Sequence, residues 1–173
     1  DRRAFLRSSA LGLAGAAGIA AAPAALRPQS SVSAPKAEDA PLRVKGFRTL
    51  GRTGFRVSDI GTGSIYDTGV FKAMLDAGVN YIDTAESYPG HHRIVGAAIK
   101  GRDRKSLFLT TKIGLDEGDT TREGIKKRVR KCLEDVGTEY VDCLMNHMPE
   151  KPELLKHEAF HQAMSELKTE GRV

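Results

Sequence analysis

Strand-like and helix-like segments alternate along most of this chain, and that alternation limits the folds it can adopt. Hydrophobic periodicity and flanking glycines predict four strand–helix units. The strands are expected at 60–63, 80–84, 107–112 and 141–147, and the helices at 70–77, 92–100, 121–136 and 153–170. Two short runs around Gly51-Arg52-Thr53-Gly54 come first and predict a β-hairpin. Because parallel neighbours need a crossover connection, the pattern predicts an α/β protein with a parallel sheet covered by helices.

Two α/β architectures compete for this pattern: an open doubly wound sheet and a closed barrel. The open sheet commonly carries a glycine-rich nucleotide turn after its first strand. The segment Gly61-Thr62-Gly63-Ser64 lacks the third glycine and the helix start of that turn. The hairpin and the polar residues at successive strand ends favour a (β/α)8 barrel of the TIM type. This chain would supply about its first four β/α units.

Four chemically capable side chains lie at or just after the ends of successive predicted strands. Asp83 lies at the end of the second, Tyr88 follows in the next turn, Lys112 ends the third and His147 ends the fourth. Barrels place their active sites at the carboxyl ends of the strands, so we expect these groups to converge. Each alone has an ordinary structural interpretation, as a turn cap, a residue at the core edge, a solvated ammonium or a satisfied histidine. The combination indicates a site.

Four segments of the sequence resemble the aldo-keto reductases, and the resemblance runs from about Phe47 to Val173. They are Leu50-Gly51-Arg52-Thr53-Gly54-Phe55-Arg56-Val57-Ser58, Asp76-Ala77-Gly78-Val79-Asn80-Tyr81-Ile82-Asp83-Thr84-Ala85, Thr110-Thr111-Lys112 and Val141-Asp142-Cys143-Leu144-Met145-Asn146-His147. The resemblance implies an oxidoreductase that reduces an aldehyde or ketone to an alcohol. Its cofactor would be NADP(H) or NAD(H), and its substrate a small carbonyl compound.

The chemistry of carbonyl reduction assigns a role to each of the four side chains. Negative charge develops on the carbonyl oxygen, so the site needs a proton donor within hydrogen-bond reach. The resemblance implies that Tyr88 is this acid, that Lys112 tunes it and that Asp83 supports the ammonium. His147 would fix the substrate carbonyl. Gly63 and Ser64 would approach the cofactor, with Asp83 close to its nicotinamide ribose.

Two positions depart from the usual pattern of the family. Pro89-Gly90-His91-His92-Arg93 follows Tyr88 where the family commonly carries a glycine, a small residue and an acid, and the paired histidines raise the question of a metal site. Adjacent side chains seldom converge on one ion without further ligands, so we expect no metal site. Met148 stands where many members carry an aromatic residue, which predicts a differently shaped substrate pocket.

The first 26 residues are typical of an export signal. The basic segment Arg2-Arg3-Ala4-Phe5-Leu6-Arg7 is followed by an uncharged run from Ser8 to Leu26 that is rich in Ala, Gly and Leu and ends near Ala22-Pro23-Ala24. This resembles a twin-arginine signal and predicts an exported, periplasmic protein that engages the export machinery. A membrane anchor is the alternative, but a spanning helix needs about 20 strongly apolar residues. Residues 27–46, which contain three prolines, predict a flexible linker, and residues 47–173 the partial barrel.

The charge of the chain gives no indication of a nucleic-acid partner. Its net charge is +5, but residues 1–30 hold four of the 27 basic residues and one of the 22 acidic ones. The remainder is nearly balanced, and it has no basic stripe interleaved with aromatic residues. We therefore expect no nucleic-acid binding.

Length raises a second interpretation. A complete barrel takes about 250 residues, and the predicted domain at 47–173 has about half that length. We therefore expect a fragment of a longer reductase that binds its cofactor weakly on its own. The alternative function is a catalytically silent half-barrel that acts as an interaction or regulatory module.

Overall fold

The computed structural model describes residues 41–116 and 118–173. Its strands are β1 (Phe47–Thr49), β2 (Arg56–Ser58), β3 (Tyr81–Asp83), β4 (Phe108–Ile113) and β5 (Cys143–Asn146). Its α-helices are α1 (Thr68–Asp76), α2 (His91–Ile99), α3 (Arg122–Val136) and α4 (Glu158–Thr169). Short 3-10 turns lie at Gly51–Thr53, Arg104–Ser106 and Pro152–Lys156. The signal predicted at 1–26, and most of the linker predicted at 27–46, lie outside the described residues.

The strands form an antiparallel hairpin and a parallel sheet, as the alternation predicts. β1 pairs with β2 around the 3-10 turn, and β3, β4 and β5 pair in that order, all parallel. The register sets Asp83 opposite Thr110 and Lys112 opposite Met145. The fold is therefore α/β, and the described residues do not close a barrel. None of their helices is both long enough and apolar enough to cross a membrane.

The first predicted strand, at 60–63, is not a regular strand, and this corrects the expected count of four. Only Gly61 forms an isolated parallel bridge, to Tyr81. A Cβ atom added to Gly61 would lie 2.7 Å from the Tyr81 ring, so the backbone approaches as closely as it does because residue 61 is glycine. Glycine also has low strand propensity. The segment therefore lies along the edge of β3 and is held by few bonds.

The last predicted helix, at 153–170, is divided in two. A 3-10 turn at Pro152–Lys156 comes first, and α4 begins only after His157. The Nδ1 atom of His157 accepts a hydrogen bond from the Phe160 backbone N–H at 3.2 Å, which caps α4. Histidine is a less usual cap than serine, threonine, aspartate or asparagine, so the sequence pattern gives little sign of this break.

The segment just before β1 is bonded to the body of the domain. Arg43 donates to the Asp76 carbonyl at 2.6 Å, and Val44 donates to the Ala77 carbonyl at 2.7 Å. The backbone N–H of Asp59 donates to the Gly46 carbonyl at 3.0 Å. The last part of the segment predicted as a flexible linker, residues 43–46, is therefore bonded to the domain.

The hydrophobic core lies between the parallel sheet and the helices. Ile82, Leu109 and Leu144 point from the sheet into this layer, which also contains Val129 and Leu167. Side chains alternate along each strand, so the opposite face carries the neighbouring residues. That second face includes Asp83, Lys112 and Met145, and Met145 is 45% exposed.

The two cysteines are free thiols on different sides of the sheet layer. Cys132 packs in the helical core, and burial raises the pKa of its thiol to about 12. Strand alternation places Cys143 on the other face of the sheet from Leu144.

A tight crossing of α2 and α3 provides a test of this packing. A Cβ atom at Gly96 would lie 2.3 Å from the Val136 carbonyl oxygen, which is backbone and cannot move aside cheaply. Alanine normally gains about 1 kcal/mol over glycine inside a helix. We expect Gly96→Ala instead to lower the free energy of unfolding by about 1–3 kcal/mol, because overpacking dominates.

Urea unfolding monitored by circular dichroism measures this effect. The matched control is Gly114→Ala, because a Cβ atom at Gly114 would meet nothing within 4 Å. A Gly96→Ala variant as stable as the parent protein would contradict the packing described here.

Candidate active site

Parallel pairing brings the carboxyl ends of β3, β4 and β5 to one edge of the sheet. Asp83 is the last residue of β3, Lys112 is the penultimate residue of β4 and His147 directly follows β5. Tyr88 lies in the loop between β3 and α2. The structure places all four sequence-predicted side chains at this edge.

Lys112 is held at two points by residues at the end of β3. Its ammonium group donates a short hydrogen bond to the Asp83 carboxylate and another to the Thr84 carbonyl at 2.9 Å. The Lys112 side chain is only 13% exposed. A largely buried ammonium without partners would carry a heavy desolvation cost. The carboxylate and the carbonyl therefore both orient the charge and offset that cost.

Tyr88 lies between the ammonium and the imidazole. The Lys112 ammonium is 5.3 Å from the centre of the Tyr88 ring, and the His147 ring meets the same ring edge-on at 5.7 Å between centres. In general, a cation beside a phenol favours the negative charge that remains when the phenol gives up its proton. The arrangement can therefore support proton transfer from the phenol to a bound acceptor.

The loop that carries Tyr88 is tied to the rest of the domain. Arg128 on α3 donates to the Glu86 carboxylate through Nε at 2.8 Å and also through Nη2. The backbone N–H of Glu86 donates to the Lys112 carbonyl at 3.0 Å. The phenol is thus positioned by a loop fixed to both α3 and β4. The sequence gives no sign of the Glu86–Arg128 pair because its members lie far apart along the chain.

Two further contacts at this edge were not predicted. The Ser87 hydroxyl lies 3.0 Å from Nδ1 of His147, and the Thr84 carbonyl accepts from Lys112. Ser87 directly precedes Tyr88, and that adjacency is the only sign of its role in the sequence. The sequence gives no sign that the backbone carbonyl of Thr84 bonds to Lys112.

Gly63 and Ser64 lie beside the end of β3. The Thr62 backbone N–H donates to the Tyr81 carbonyl at 2.9 Å, and the Thr62 hydroxyl accepts from the Asp83 backbone N–H at 3.3 Å. Both Gly63 and Ser64 are exposed. A Cβ atom at Gly63 would meet nothing within 4 Å, so the backbone here is open to a ligand.

His91 and His92 are buried and bond to two different threonines. Nδ1 of His91 lies 2.8 Å from the Thr84 hydroxyl, and Nε2 of His92 lies 2.8 Å from the Thr111 hydroxyl. Burial lowers the pKa of both histidines. Among residues 41–116 and 118–173, no three potential ligands are grouped as a metal ion would require. The pair contributes to the packing of α2 on the sheet.

An open cleft of about 550 Å³ lies beside His147. Ser87, Asp116, Met148 and Glu150 are among the residues that line it. Met148 has a positive φ of 46° and is 75% exposed. A backbone strained in this way costs about 1–3 kcal/mol and is found mainly where function requires it. The sequence pattern marks Met148 only as a replacement for an aromatic residue.

Comparison with known proteins identifies the family. Residues 64–173 match the model of the aldo/keto reductase family. This chain belongs to the aldo/keto reductase family. An aldo-keto reductase of Mycobacterium avium is 38% identical to it over 106 residues, a match that covers 58% of this chain and 35% of the relative. The matched region thus spans about a third of that relative's length.

Solved aldo-keto reductases share the fold. The enzyme from Bacillus halodurans, in its holo form, is 33% identical with a TM-score of 0.58, and the match covers 72% of this chain and 47% of that protein. The enzyme from Klebsiella pneumoniae, solved in complex with NADPH, is 25% identical with a TM-score of 0.56. That match covers 69% of this chain and 44% of the other. The resemblance inferred from the sequence is confirmed at the level of the family.

The two buried histidines of this aldo-keto reductase domain predict a loss of stability in acid. Because the pKa of each is lowered in the folded state, folding favours the neutral ring. Above about pH 6.5, the pKa of histidine in the unfolded chain, both states carry neutral rings and stability is not reduced. Below that pH the unfolded chain binds protons more readily than the folded protein, so the free energy of unfolding falls. We expect the free energy of unfolding to be lower at pH 5.5 than at pH 7.5.

Urea titrations at the two pH values measure this difference. His92→Gln should remove part of the decrease, whereas His161→Gln, at an exposed position, should leave it unchanged. An equal decrease in His92→Gln and in the parent protein would show that His92 does not cause it.

Proposed function

We propose that this domain provides the catalytic residues of an NAD(P)H-dependent oxidoreductase that reduces an aldehyde or ketone to an alcohol. The observation that carries the proposal is the Lys112–Asp83 ion pair beside the Tyr88 ring, with His147 at the same edge. The family match supports the same reaction class.

Tyr88 is the proton donor in this proposal. As negative charge develops on the carbonyl oxygen, the phenol transfers its proton to that oxygen and becomes a phenolate. The nearby Lys112 ammonium stabilises the phenolate and so lowers the barrier to transfer. The Asp83 carboxylate and the Thr84 carbonyl keep the ammonium in place before and after that step.

His147 orients the substrate. Its ring lies against Tyr88, and its position after β5 is fixed by a 2.9 Å bond from its backbone N–H to the Ile113 carbonyl. An imidazole held there can hydrogen-bond the carbonyl oxygen and align it for reaction. Met148, exposed directly after His147, would contact a small carbonyl compound bound there.

Gly63, Ser64 and Asp83 would hold the cofactor, NADP(H) or NAD(H). The nicotinamide cofactor supplies the hydride when it is bound. Gly63 and Ser64 are exposed beside the end of β3, and a solved relative from Klebsiella pneumoniae was crystallised with NADPH. The exposure of Gly63 and Ser64 supports binding at this edge of the sheet, and the complex of the relative supports a nicotinamide cofactor in the family.

We also propose that residues 1–26 direct the protein to the periplasm through the twin-arginine export machinery. The support is the sequence itself, with Arg2-Arg3 before an uncharged run rich in Ala and Gly. Fractionation of cells that express the parent protein or Arg2→Lys with Arg3→Lys would show whether export depends on the arginine pair.

Replacement of the proposed acid tests the catalytic assignment. In the full-length protein, Tyr88→Phe should lower the kcat of carbonyl reduction by about 10²–10⁴-fold, because the ring remains but the transferable proton does not. Binding of NADPH, followed by quenching of its fluorescence, should stay within a factor of about two, since no step of binding uses that proton.

Tyr140→Phe is the matched control for this variant. Tyr140 lies before the start of β5, whereas the proposed site lies at the other end of the strands. Its ring contacts the Arg104 guanidinium, 4.1 Å from the ring centre. Turnover by Tyr88→Phe equal to that of the control would contradict the assignment. No carbonyl reduction by the unmodified protein would favour a silent interaction module instead.

A further inference from the structure

Ser87 forms a contact that the proposed mechanism does not use. It lies on the loop between β3 and α2, directly before Tyr88, and its hydroxyl is 3.0 Å from Nδ1 of His147. Sixty positions separate the two residues in the sequence. Within residues 41–116 and 118–173, this is the one hydrogen bond made by the His147 side chain. Among the described residues, Nδ1 therefore has a hydrogen-bond partner and Nε2 has none.

The ordinary interpretation of an exposed serine is a hydroxyl that binds solvent. Two features favour a fixed contact instead. The loop is fastened on one side of Ser87 by Glu86, whose backbone N–H donates to the Lys112 carbonyl, and on the other by Tyr88, whose backbone N–H donates to the Ala85 carbonyl at 3.1 Å. His147 is fastened through its own backbone to Ile113. Both partners are thus held by backbone bonds, so the main chain sets the separation of hydroxyl and ring.

The chemistry of the imidazole determines what such a contact can do. A neutral ring has one nitrogen that donates and one that accepts, and the partner of the first determines the role of the second. A carbonyl oxygen accepts hydrogen bonds, so the ring nitrogen that meets it must carry the proton. With Nδ1 of His147 engaged by Ser87, that nitrogen is Nε2.

We propose that Ser87 is a positioning residue whose hydroxyl donates to Nδ1 of His147 and holds the ring in the tautomer that presents Nε2–H to the substrate carbonyl. This rests on the proposed function of His147 as substrate anchor. Ser87 itself touches neither substrate nor cofactor, and it acts through the imidazole. The opposite arrangement, with Nδ1–H donating to the hydroxyl, would present a lone pair on Nε2 to the carbonyl oxygen and repel it.

Nitrogen NMR of the imidazole tests the contact without requiring turnover. The full-length protein is labelled with ¹⁵N, and the His147 ring signals are assigned by their absence in His147→Gln. At pH 8 we expect a protonated Nε2 and an Nδ1 signal displaced from the position of an unbonded ring nitrogen. Ser87→Ala should move Nδ1 to the unbonded position, and Ser87→Thr, which keeps the hydroxyl, should retain the displacement.

Kinetics with NADPH and benzaldehyde provide the second measurement. Ser87→Ala should lower kcat about tenfold, as expected for the loss of one positioning hydrogen bond, while the KM for NADPH stays unchanged. Ser165→Ala, at an exposed position on α4, is the matched control and should alter neither the ring signals nor kcat.

The two measurements separate the contact from the reaction. An Nδ1–H tautomer in the unmodified protein, or Nδ1 signals that are the same in the parent and Ser87→Ala, would overturn the role of Ser87 whatever the turnover. If the Nδ1 signal is displaced but the protein reduces no carbonyl compound, the hydrogen bond exists but the proposed function fails, and with it the role of Ser87 in positioning a catalytic ring. A displaced signal lost in Ser87→Ala together with a tenfold lower kcat would support it.

Discussion

The ammonium of Lys112 is held at the edge of the parallel sheet by the carboxylate of Asp83, the last residue of β3, and by the backbone carbonyl of Thr84, which follows it. This contact depends on strand register, because β3 and β4 pair so that Asp83 lies opposite Thr110, two residues before Lys112. A shift of one residue would turn one of the two side chains to the other face of the sheet. The position of the charge is therefore a property of the fold, and Tyr88 and His147 take their places around it.

The short loop after β3 supplies groups that act in three directions. Glu86 faces α3 and pairs with Arg128, Ser87 faces the end of β5 and bonds His147, and Tyr88 lies against the Lys112 ammonium. Each contact restrains the loop on a different side. The phenol and the imidazole are consequently oriented before any ligand binds, which lowers the cost of reaching a reactive arrangement.

Hydrophobic patterning predicts the parts of this fold that depend on local sequence. The first three helices and the three parallel strands follow from periodicity, the hairpin follows from its turn residues, and the strand-end positions of Asp83, Lys112 and His147 follow from those strands. The break between the 3-10 turn and α4 does not, because it depends on the cap that His157 provides. The irregular segment at 60–63 could not be predicted, because it depends on how closely Gly61 approaches Tyr81. The contact of Ser87 with His147 was equally hidden, since a serine gives no sign of a partner on another strand. The roles of the four side chains, the cofactor and the export signal stay predictions.

In the proposed mechanism, Asp83 serves the reaction through the ammonium of Lys112. A double-mutant cycle with Asp83→Asn and Lys112→Met, measured as kcat for carbonyl reduction at saturating NADPH, tests it most directly. Because the carboxylate acts through the ammonium, the double variant should be no slower than Lys112→Met alone. If instead the kcat of the double variant falls by the product of the two single-variant factors, Asp83 acts independently of Lys112 and this role of Asp83 is wrong.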